Sequence, residues 1–357
     1  MKKKILYFMV ADFFGGVSKV VQDMCKGLSD NNEIEIFLIT NKNSKKYYKE
    51  IKGLNIFIIN STSKIELFFY IKKIIEENEI EIIHSHDNTT SLLSLIYKTV
   101  FNKKIKIISH IHACNEWLKR YNFKKIIDML IRNKYDLNIF CGENVRKFYL
   151  ENANYLNRKK TIVLSNSVYL PQKKFLKKET KNIYGYVGRL SEEKGIFDLI
   201  KEVQKKIDLF ENKKFYIIGS GPQENEIKNY IKKHSMDRNF IFLGFKTKLE
   251  FFYEVMDVLL IPSHTEALPM VLLEAMAQGV LVLSMDVGSI GEVIENKKNG
   301  FLIKKGNYKE FVDTLLALDN EKENEIKYLR ENAYRTVKIN YNYDLFLKKL
   351  IEIYKSI

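Results

Sequence analysis

The sequence predicts an α/β fold built from two doubly wound domains that face each other across a cleft. Its 357 residues exceed what one hydrophobic core usually supports, because cores stop growing near about 250–300 residues. Short apolar runs alternate with segments of helical period, an order typical of parallel βαβ units. This alternation starts again at Asn182, which indicates a second domain of the same kind.

The first half, residues 1–170, is predicted to form the N-terminal domain. The predicted strands span residues 4–10, 34–40, 56–59, 82–85, 106–110, 137–141 and 161–164, and the predicted helices include 17–28, 64–78 and 116–134. Lysines before an apolar run at the N-terminus resemble a secretory signal, but Asp12 interrupts the run and no small-residue cleavage site follows. We therefore expect the first strand of the sheet there.

The second half repeats the scheme over residues 182–339. Its predicted strands span residues 183–187, 214–218, 241–243, 258–262, 280–284 and 301–303. The lysine-rich stretch 171–181 fits neither period and is the predicted linker. The last segment, 340–357, is expected to pack as a helix against the N-terminal domain, because it carries apolar residues at helical spacing: Leu345, Leu347, Leu350, Ile351 and Tyr354.

Composition excludes several classes of protein. With 46% hydrophobic and 29% charged residues, the chain is typical of a folded domain rather than a disordered one. The three cysteines, Cys25, Cys114 and Cys141, are odd in number and form no CxxC pair, so neither a disulfide framework nor a structural zinc site is indicated. No window approaches the roughly 20 apolar residues of a membrane helix. We expect a cytoplasmic protein.

The net charge of +15 lies mostly in the first half, which has 28 basic against 17 acidic residues up to position 170. Such a field favours an anionic partner: lipid headgroups, phosphates or nucleic acid. The alternative is a solvated, lysine-rich surface without such a partner, which would give the same excess of basic residues. A nucleic-acid-binding protein is disfavoured because no helix-turn-helix, zinc or aromatic RNP pattern is present.

Glycines and basic residues follow several predicted strands, at the sheet edge where such folds bind ligands. The glycines are Gly15, Gly16, Gly219 and Gly221, and glycine lets backbone amides approach an anion closely. After strand 183–187, Arg189 and Lys194 share one loop, and together they suit the two charges of a diphosphate. Taken singly, each feature also fits a plain turn or a solvated loop.

Two glutamates stand in the apolar stretch SHTEALPMVLLEAMAQG, residues 263–279. Pro269 suits the first turn of a helix and Gly279 suits the position after its end, so Glu266 is predicted in the preceding loop and Glu274 inside the helix. Eight residues apart, they would point about 80° from each other on a helix. We therefore expect them to hold different parts of one ligand. Otherwise Glu266 complements the helix dipole and Glu274 pairs with a lysine.

The stretch from Ser263 to Ile294 resembles the donor-site signature of retaining glycosyltransferases of the glycogen-synthase-like superfamily, specifically family 4. Further family motifs occur in order: the Gly15–Gly16 loop, IIHSHD, SHIHAC, LSNSV, GRLSEEKG, GSGP and FLG. The resemblance implies two Rossmann-like domains in the GT-B arrangement. It also implies metal-independent transfer of a sugar from a nucleotide-diphosphate donor, a UDP-sugar, to an acceptor hydroxyl with retention of configuration.

Residue by residue, the resemblance implies that Arg189 and Lys194 neutralise the donor diphosphate, since no DxD metal motif is present. Glu266 would bind hydroxyls of the sugar, and Glu274 the ribose. His112 would contact the sugar near the reacting carbon, although the sequence alone also fits a core histidine. The implied catalytic set is Glu266, His112, Arg189 and Lys194; further donor-binding residues are Gly15, Gly16, Gly219, Gly221, Ala267, Leu268, Met270 and Glu274.

The prediction for the acceptor is based on the basic segment 115–134. Its apolar members are Trp117, Leu118, Tyr121, Ile126, Leu130 and Ile131, with Lys119, Arg120, Lys124, Lys125 and Arg132 on other faces. Such a helix either lies on an anionic membrane or packs on the sheet with a wet basic face.

We therefore expect peripheral contact with the inner face of the cell membrane. The expected acceptor is a lipid-linked or saccharide intermediate in surface polysaccharide synthesis, such as that of a capsule or exopolysaccharide. A sugar-nucleotide epimerase or a phosphorylase of the same fold is the enzymatic alternative.

Overall fold

The computed structural model describes residues 2–10, 14–59, 63–171 and 182–357, without the side chains of Lys64 and Asp319. All of the predicted linker except Pro171 lies outside these residues. The chain divides into two compact units: residues 1–166 with 344–357, and residues 167–343. Each unit contains one wholly parallel sheet with helices between its strands, which confirms the predicted α/β fold class.

The first unit is built on a seven-stranded sheet in the order β3-β2-β1-β4-β5-β6-β7. The strands are β1 (Lys3–Phe8), β2 (Ile34–Asn41), β3 (Asn55–Ile59), β4 (Ile82–Ser85), β5 (Lys106–Ile111), β6 (Leu137–Phe140) and β7 (Thr161–Val163). The helices that follow them are α1 (Gly16–Leu28), α2 (Lys64–Asn78), α3 (Asn88–Val100), α4 (Phe123–Ile131) and α5 (Glu143–Asn152). Buried leucine and isoleucine side chains of α2 pack on β1, β2 and β4.

The predicted continuous helix over 116–134 is wrong. A 3₁₀ turn (Glu116–Lys119), helix α4 and a second 3₁₀ turn (Arg132–Lys134) replace it. Asn122 causes the break, because its side-chain oxygen accepts a hydrogen bond from the amide of Lys125 at 3.0 Å and so caps α4. Its side-chain amide also donates to the carbonyl of Trp117, which holds the preceding turn out of the helix.

The second unit contains a six-stranded sheet in the order β10-β9-β8-β11-β12-β13. The strands are β8 (Ile183–Val187), β9 (Lys214–Ile218), β10 (Phe240–Gly244), β11 (Val258–Ile261), β12 (Leu281–Asp286) and β13 (Phe301–Lys304). Its helices are α6 (Ile196–Gln204), α7 (Glu224–Lys233), α8 (Glu250–Val255), α9 (Met270–Ala277), α10 (Ile290–Val293), α11 (Tyr308–Ala317) and α12 (Glu323–Asn340). No helix among the described residues is both long enough and apolar enough to cross a bilayer.

The C-terminal helix α13 (Tyr343–Ser356) returns the chain to the first unit. Its buried side chains are Tyr343, Phe346, Leu350 and Tyr354. The expected apolar stripe is therefore wrong at Leu345, which is 42% exposed. Lys3 Nζ donates to the carbonyl oxygen of Tyr354 at 2.7 Å, and the Tyr354 hydroxyl donates to that of Tyr7 at 2.7 Å. These bonds tie α13 to β1.

An ion pair lies inside the first unit, between α4 and the sheet. The side chains of Asp128 and Arg132 are 4% and 2% exposed, and Arg132 Nε donates to Asp128 Oδ1 at 2.8 Å. Arg132 also donates to Ser109 Oγ on β5 at 3.1 Å. The structure thus corrects the expectation that Arg132 belongs to a wet basic face.

We expect Asp128→Asn to lower the free energy of unfolding by about 3–5 kcal/mol, because the substitution leaves a buried guanidinium without its counter-charge. Glu143→Gln is the matched control, since it breaks the exposed Arg146–Glu143 pair and should cost less than about 1 kcal/mol. Urea-induced unfolding of both variants measures the difference. Equal losses would contradict the buried pair.

Candidate functional site

Two loops of the second unit are joined by an ion pair at the carboxyl ends of neighbouring strands. Lys194 follows β8 and Glu266 follows β11, and Lys194 Nζ lies 2.7 Å from Glu266 Oε1. Ser263 Oγ donates to the same oxygen at 2.8 Å. Within the described residues no hydrogen bond reaches Glu266 Oε2. The carboxylate is therefore fixed through one oxygen and can accept a ligand hydroxyl through the other.

A small polar network behind this pair holds the two loops together. His264 donates its amide to the Glu193 carbonyl at 3.0 Å, and its Nε2 lies 2.9 Å from Asp198 Oδ2 on α6. Tyr308, the first residue of α11, donates its hydroxyl to the Pro262 carbonyl at 2.9 Å. These bonds join the loop before α9 to the loop before α6, to α6 itself and to α11, and so they position Glu266 opposite Lys194.

Gly195 makes this approach possible. Its φ of +64° is in the left-handed region, and a Cβ atom there would lie 2.1 Å from the Pro262 carbonyl oxygen and 2.4 Å from the Tyr308 hydroxyl. Both distances are far below van der Waals contact, so only glycine fits. Gly288 has the same role on the other side of the Glu266 loop, where its Cβ would lie 2.2 Å from the Glu266 carbonyl oxygen.

Glu274 lies in helix α9, whose side chains are otherwise mostly buried. The Tyr253 hydroxyl donates to Glu274 Oε2 at 2.8 Å. Burial raises the pKa of Tyr253 well above its ordinary value, and the negative charge of Glu274 raises it further. Tyr253 thus stays protonated and donates to a carboxylate, which orients Glu274 within the helix.

The start of α9 presents backbone donors. Pro269 is the N-cap rather than the first helical residue, and Gly279 follows the helix with a φ of +70°. In the described part of the chain, no acceptor takes the amides of Ala267 and Met270, whereas the side chains of Ala267, Leu268 and Met270 are buried. Open amides and the positive end of the helix dipole favour an anion there.

Arg189 lies exposed on the loop between β8 and α6. Its carbonyl accepts a hydrogen bond from the Tyr186 hydroxyl at 2.6 Å. The charges of Arg189 and Lys194 act on the neighbouring Glu193. Burial raises the pKa of Glu193, but a hydrogen bond from Ser191 and the charges of Arg189 and Lys194 outweigh burial, so its pKa is lowered.

Gly219 and Gly221 precede α7 but do not belong to its first turn, because the helix begins only at Glu224. They pack against the loop that carries Arg189 instead. A Cβ at Gly219, whose φ is +139°, would lie 1.8 Å from the Gly188 carbonyl oxygen, and one at Gly221 would lie 2.3 Å from that of Leu190. Close packing of two loops is thus sufficient to require both glycines.

Gly15, Gly16 and His112 belong to the first unit. Gly15 is the N-cap of α1 in an extended conformation, and Gly16 is the first residue of the helix. A Cβ at Gly16 would meet no atom of the described residues within 4 Å, so crowding by them does not explain this glycine.

His112 belongs to a cluster of four histidines at the carboxyl ends of β4 and β5, which we call the histidine cluster: His84, His86, His110 and His112. His86 Nδ1 lies 3.1 Å from His112 Nε2, and His84 Nε2 lies 3.2 Å from His110 Nδ1. Burial lowers the pKa of His112 to about 3. The ring is therefore neutral at pH 7 and acts there as a hydrogen-bonding group rather than a cation.

Four side chains of these sites were not predicted: Tyr253, Ser263, His264 and Tyr308. Of these, only Ser263 could have been predicted from the sequence, because it lies three residues before Glu266 and so close enough to bond to it. The histidine cluster had a clearer signal. The His-x-His spacings at 84–86 and 110–112 place both pairs on one face of neighbouring strands.

Two family models match the chain, one for each half. Residues 14–170 match Glycosyltransferase Family 4, and residues 171–336 match Glycosyl transferases group 1. Together these matches include every residue of the expected donor site.

Similar proteins agree with these matches. The chain is 27% identical over 371 residues to an uncharacterized glycosyltransferase of Haemophilus influenzae, with all of both chains covered. It is 23% identical to the UDP-Gal:alpha-D-GlcNAc-diphosphoundecaprenol alpha-1,3-galactosyltransferase of Escherichia coli, over 70% of this chain and 69% of that protein. The crystal structure of Anabaena Alr3699/HepE in complex with UDP-glucose shares the fold, with a TM-score of 0.85, 17% identity, and coverage of 99% of this chain and 100% of that one.

We expect Gly195→Ala to destabilise the second unit by roughly 3 kcal/mol or more, because the new Cβ adds a backbone clash to the cost of a positive φ. Gly306→Ala is the matched control. Its φ is +82° but a Cβ there would meet nothing within 4 Å, so we expect a loss of only about 1 kcal/mol. Thermal unfolding of the two variants separates these effects, and a Gly195→Ala protein as stable as Gly306→Ala would disprove the close approach.

Proposed function

The chain belongs to the glycosyltransferases of group 1 and family 4 type, and from this we propose that it moves a hexose from a UDP-sugar to a hydroxyl of a lipid-linked acceptor with retention of configuration. The observation that carries the proposal is the Lys194–Glu266 pair beside the open amides of α9. A positive charge, helix-start donors and an acceptor oxygen meet at one sheet edge. These are the groups that a sugar diphosphate requires.

The diphosphate is assigned to Arg189, Lys194 and the α9 amides. Departure of UDP builds negative charge on the leaving phosphate, and donors fixed in advance stabilise that charge without reorganising. In this proposal the protein's own cations replace a metal ion at the donor. Lys194 would then be shared between Glu266 and the phosphate, so that donor binding links the diphosphate to the carboxylate that accepts from the sugar.

The sugar and the nucleoside are assigned to the two glutamates. Glu266 would accept hydroxyl hydrogen bonds through Oε2, since Oε1 is engaged by Lys194 and Ser263. Glu274, oriented by Tyr253, would accept from the ribose. Substitution on one face would then proceed without a covalent intermediate, and the leaving phosphate would take the proton of the acceptor hydroxyl. His112, as a neutral ring, would donate or accept a hydrogen bond at the sugar.

The surface of α4 supports a membrane-borne acceptor. The helix buries its ion pair and turns apolar side chains outward: Tyr121 just before α4 is 80% exposed, Phe123 75% and Leu130 60%. Exposed Lys119, Arg120 and Lys124 flank them. An apolar face with a basic rim suits an anionic bilayer. The named acceptor of the Escherichia coli relative, a diphosphoundecaprenol, is of the lipid-linked kind that this proposal requires.

We expect UDP-glucose to bind the wild-type protein, and Lys194→Met to weaken that binding by about 10- to 100-fold, because a charge-assisted hydrogen bond contributes about 1.5–3 kcal/mol. Lys228→Met, which removes an exposed lysine paired with Glu224, is the matched control and should bind normally. Isothermal titration calorimetry measures both. Failure of UDP-, GDP-, ADP- and CMP-sugars alike to bind would contradict the proposal.

A transfer reaction with UDP-glucose as the donor tests which type of reaction the protein catalyses. Proton NMR of the product should show the anomeric configuration of the donor, and Glu266→Gln should slow transfer more than it weakens UDP-glucose binding. Conversion of the donor sugar without any acceptor would instead indicate an epimerase, and a requirement for inorganic phosphate would indicate a phosphorylase.

We expect the protein to co-sediment with vesicles of phosphatidylglycerol and phosphatidylcholine, and Phe123→Ser with Leu130→Ser to reduce that binding by about 10-fold or more for each side chain, since burying one contributes about 1.5–3 kcal/mol. Phe251→Ser, which removes a 66% exposed aromatic from α8, is the matched control. Binding should fall with added salt. Equal binding of all these variants would refute the assignment to α4.

A further inference from the structure

Three buried imidazoles of the histidine cluster lie close enough to share one ligand. His84 and His86 come from the end of β4, and His110 from the facing end of β5. One ring nitrogen of each lies within 4.8 Å of the corresponding nitrogens of the other two. The rings of His84 and His86 stack with centroids 4.4 Å apart. All three side chains are at least 97% buried.

Two nitrogens of this group lack the partners that buried polar atoms normally have. His86 Nε2 and His110 Nε2 are inaccessible to solvent and have no hydrogen-bond partner in the described part of the chain. A buried polar atom left unpaired costs about 1–3 kcal/mol. For His86 Nε2 this indicates that a further species completes the cluster.

The hydrogen bonds of the neighbouring tyrosines fix the proton on His84. The Tyr354 hydroxyl donates to Tyr7, so in the 2.6 Å contact between His84 Nδ1 and the same hydroxyl the imidazole must be the donor. The lone pair of His84 is therefore on Nε2. A metal-binding histidine has this arrangement, because it donates its other ring N–H to an outer partner that sets the tautomer.

We propose that His84, His86 and His110 bind a divalent transition ion of the borderline class that prefers imidazole, such as Zn²⁺. Tetrahedral zinc with bonds of about 2.0–2.1 Å to nitrogen sets its ligands about 3.3 Å apart, and His84 Nε2 and His110 Nδ1 are already 3.2 Å apart. Binding would replace the hydrogen bond between these two nitrogens, with the His110 proton moving to Nε2. His86 Nε2, which has no partner among the described residues, would be the third ligand.

The ligand set limits the kind of metal. Nitrogen ligands without a carboxylate favour zinc, copper or nickel over magnesium or calcium.

This ion would have a structural role, distinct from the diphosphate and ribose contacts assigned to the second unit. It would join the ends of β4 and β5, and His86 in turn holds His112 through the 3.1 Å contact. The cysteine spacing gave no zinc site, because the ligands are histidines from two strands rather than a cysteine pair.

The experiment is a zinc titration of the full-length protein after treatment with EDTA, followed by competition with a chromophoric chelator and by metal analysis after gel filtration. We expect one Zn²⁺ per chain and a higher melting temperature with zinc. Co²⁺ in its place should give the visible d–d bands of a tetrahedral ion. Tyr354→Phe removes the outer partner of His84 and should weaken zinc binding by about 10- to 100-fold. His110→Asn removes a ligand and should weaken zinc binding by more than that.

His234→Asn is the control, because His234 lies on α7's end in the second unit and bonds only to its own helix among the described residues. It should bind zinc as the wild type does. Less than about 0.1 Zn²⁺ per wild-type chain would overturn the proposal whether or not any variant folds. The proposal would also be overturned if His110→Asn and His86→Asn bound zinc as tightly as the wild type while circular dichroism showed both variants to be folded.

Discussion

The 2.7 Å contact between Lys194 and Glu266 is the constraint around which the second unit's loops are built. A lysine and a glutamate 72 residues apart meet only if both loops approach closely, and three features serve that approach. Gly195 and Gly288 leave room for a neighbouring carbonyl, Tyr308 bonds to the backbone before Ser263, and Ser263 holds the same carboxylate oxygen as Lys194. A mostly screened surface pair would not need such support, whereas the proposed donor site would.

Local patterns predicted the sheets and the donor loops, because each depends on residues close together in the chain. Apolar runs located both ends of each of the thirteen described strands to within two residues. Glu266 and Glu274 lie in the loop and in the helix, as Pro269 and Gly279 predicted. Contacts between distant residues left no such trace. Tyr354 meets Tyr7 and His84 across most of the chain, and Tyr308 reaches Pro262, so neither role could be read from spacing.

Helix α4 shows why composition alone did not decide which face of a helix is buried. The helical period places Phe123 and Leu130 on one side and Asp128 with Arg132 on another. If the apolar side of a helix were always the buried one, Phe123 and Leu130 would be buried. The structure buries the second, where Ser109, Tyr155 and Asn138 complete the hydrogen bonds of the pair. Burying such a pair adds little stability compared with an apolar contact. The proposed contact of the outward face with a membrane would account for this arrangement.

The return of α13 to the first unit makes that unit discontinuous in the chain, with the whole second unit inserted before its last helix. The ribosome therefore completes residues 167–343 before it makes the tyrosine that covers His84. During synthesis the second unit is therefore a continuous segment, whereas the first unit lacks α13 until the chain is almost finished. Domains usually fold in order from the N-terminus. Here the first unit in the chain is the last to be completed, because it needs α13.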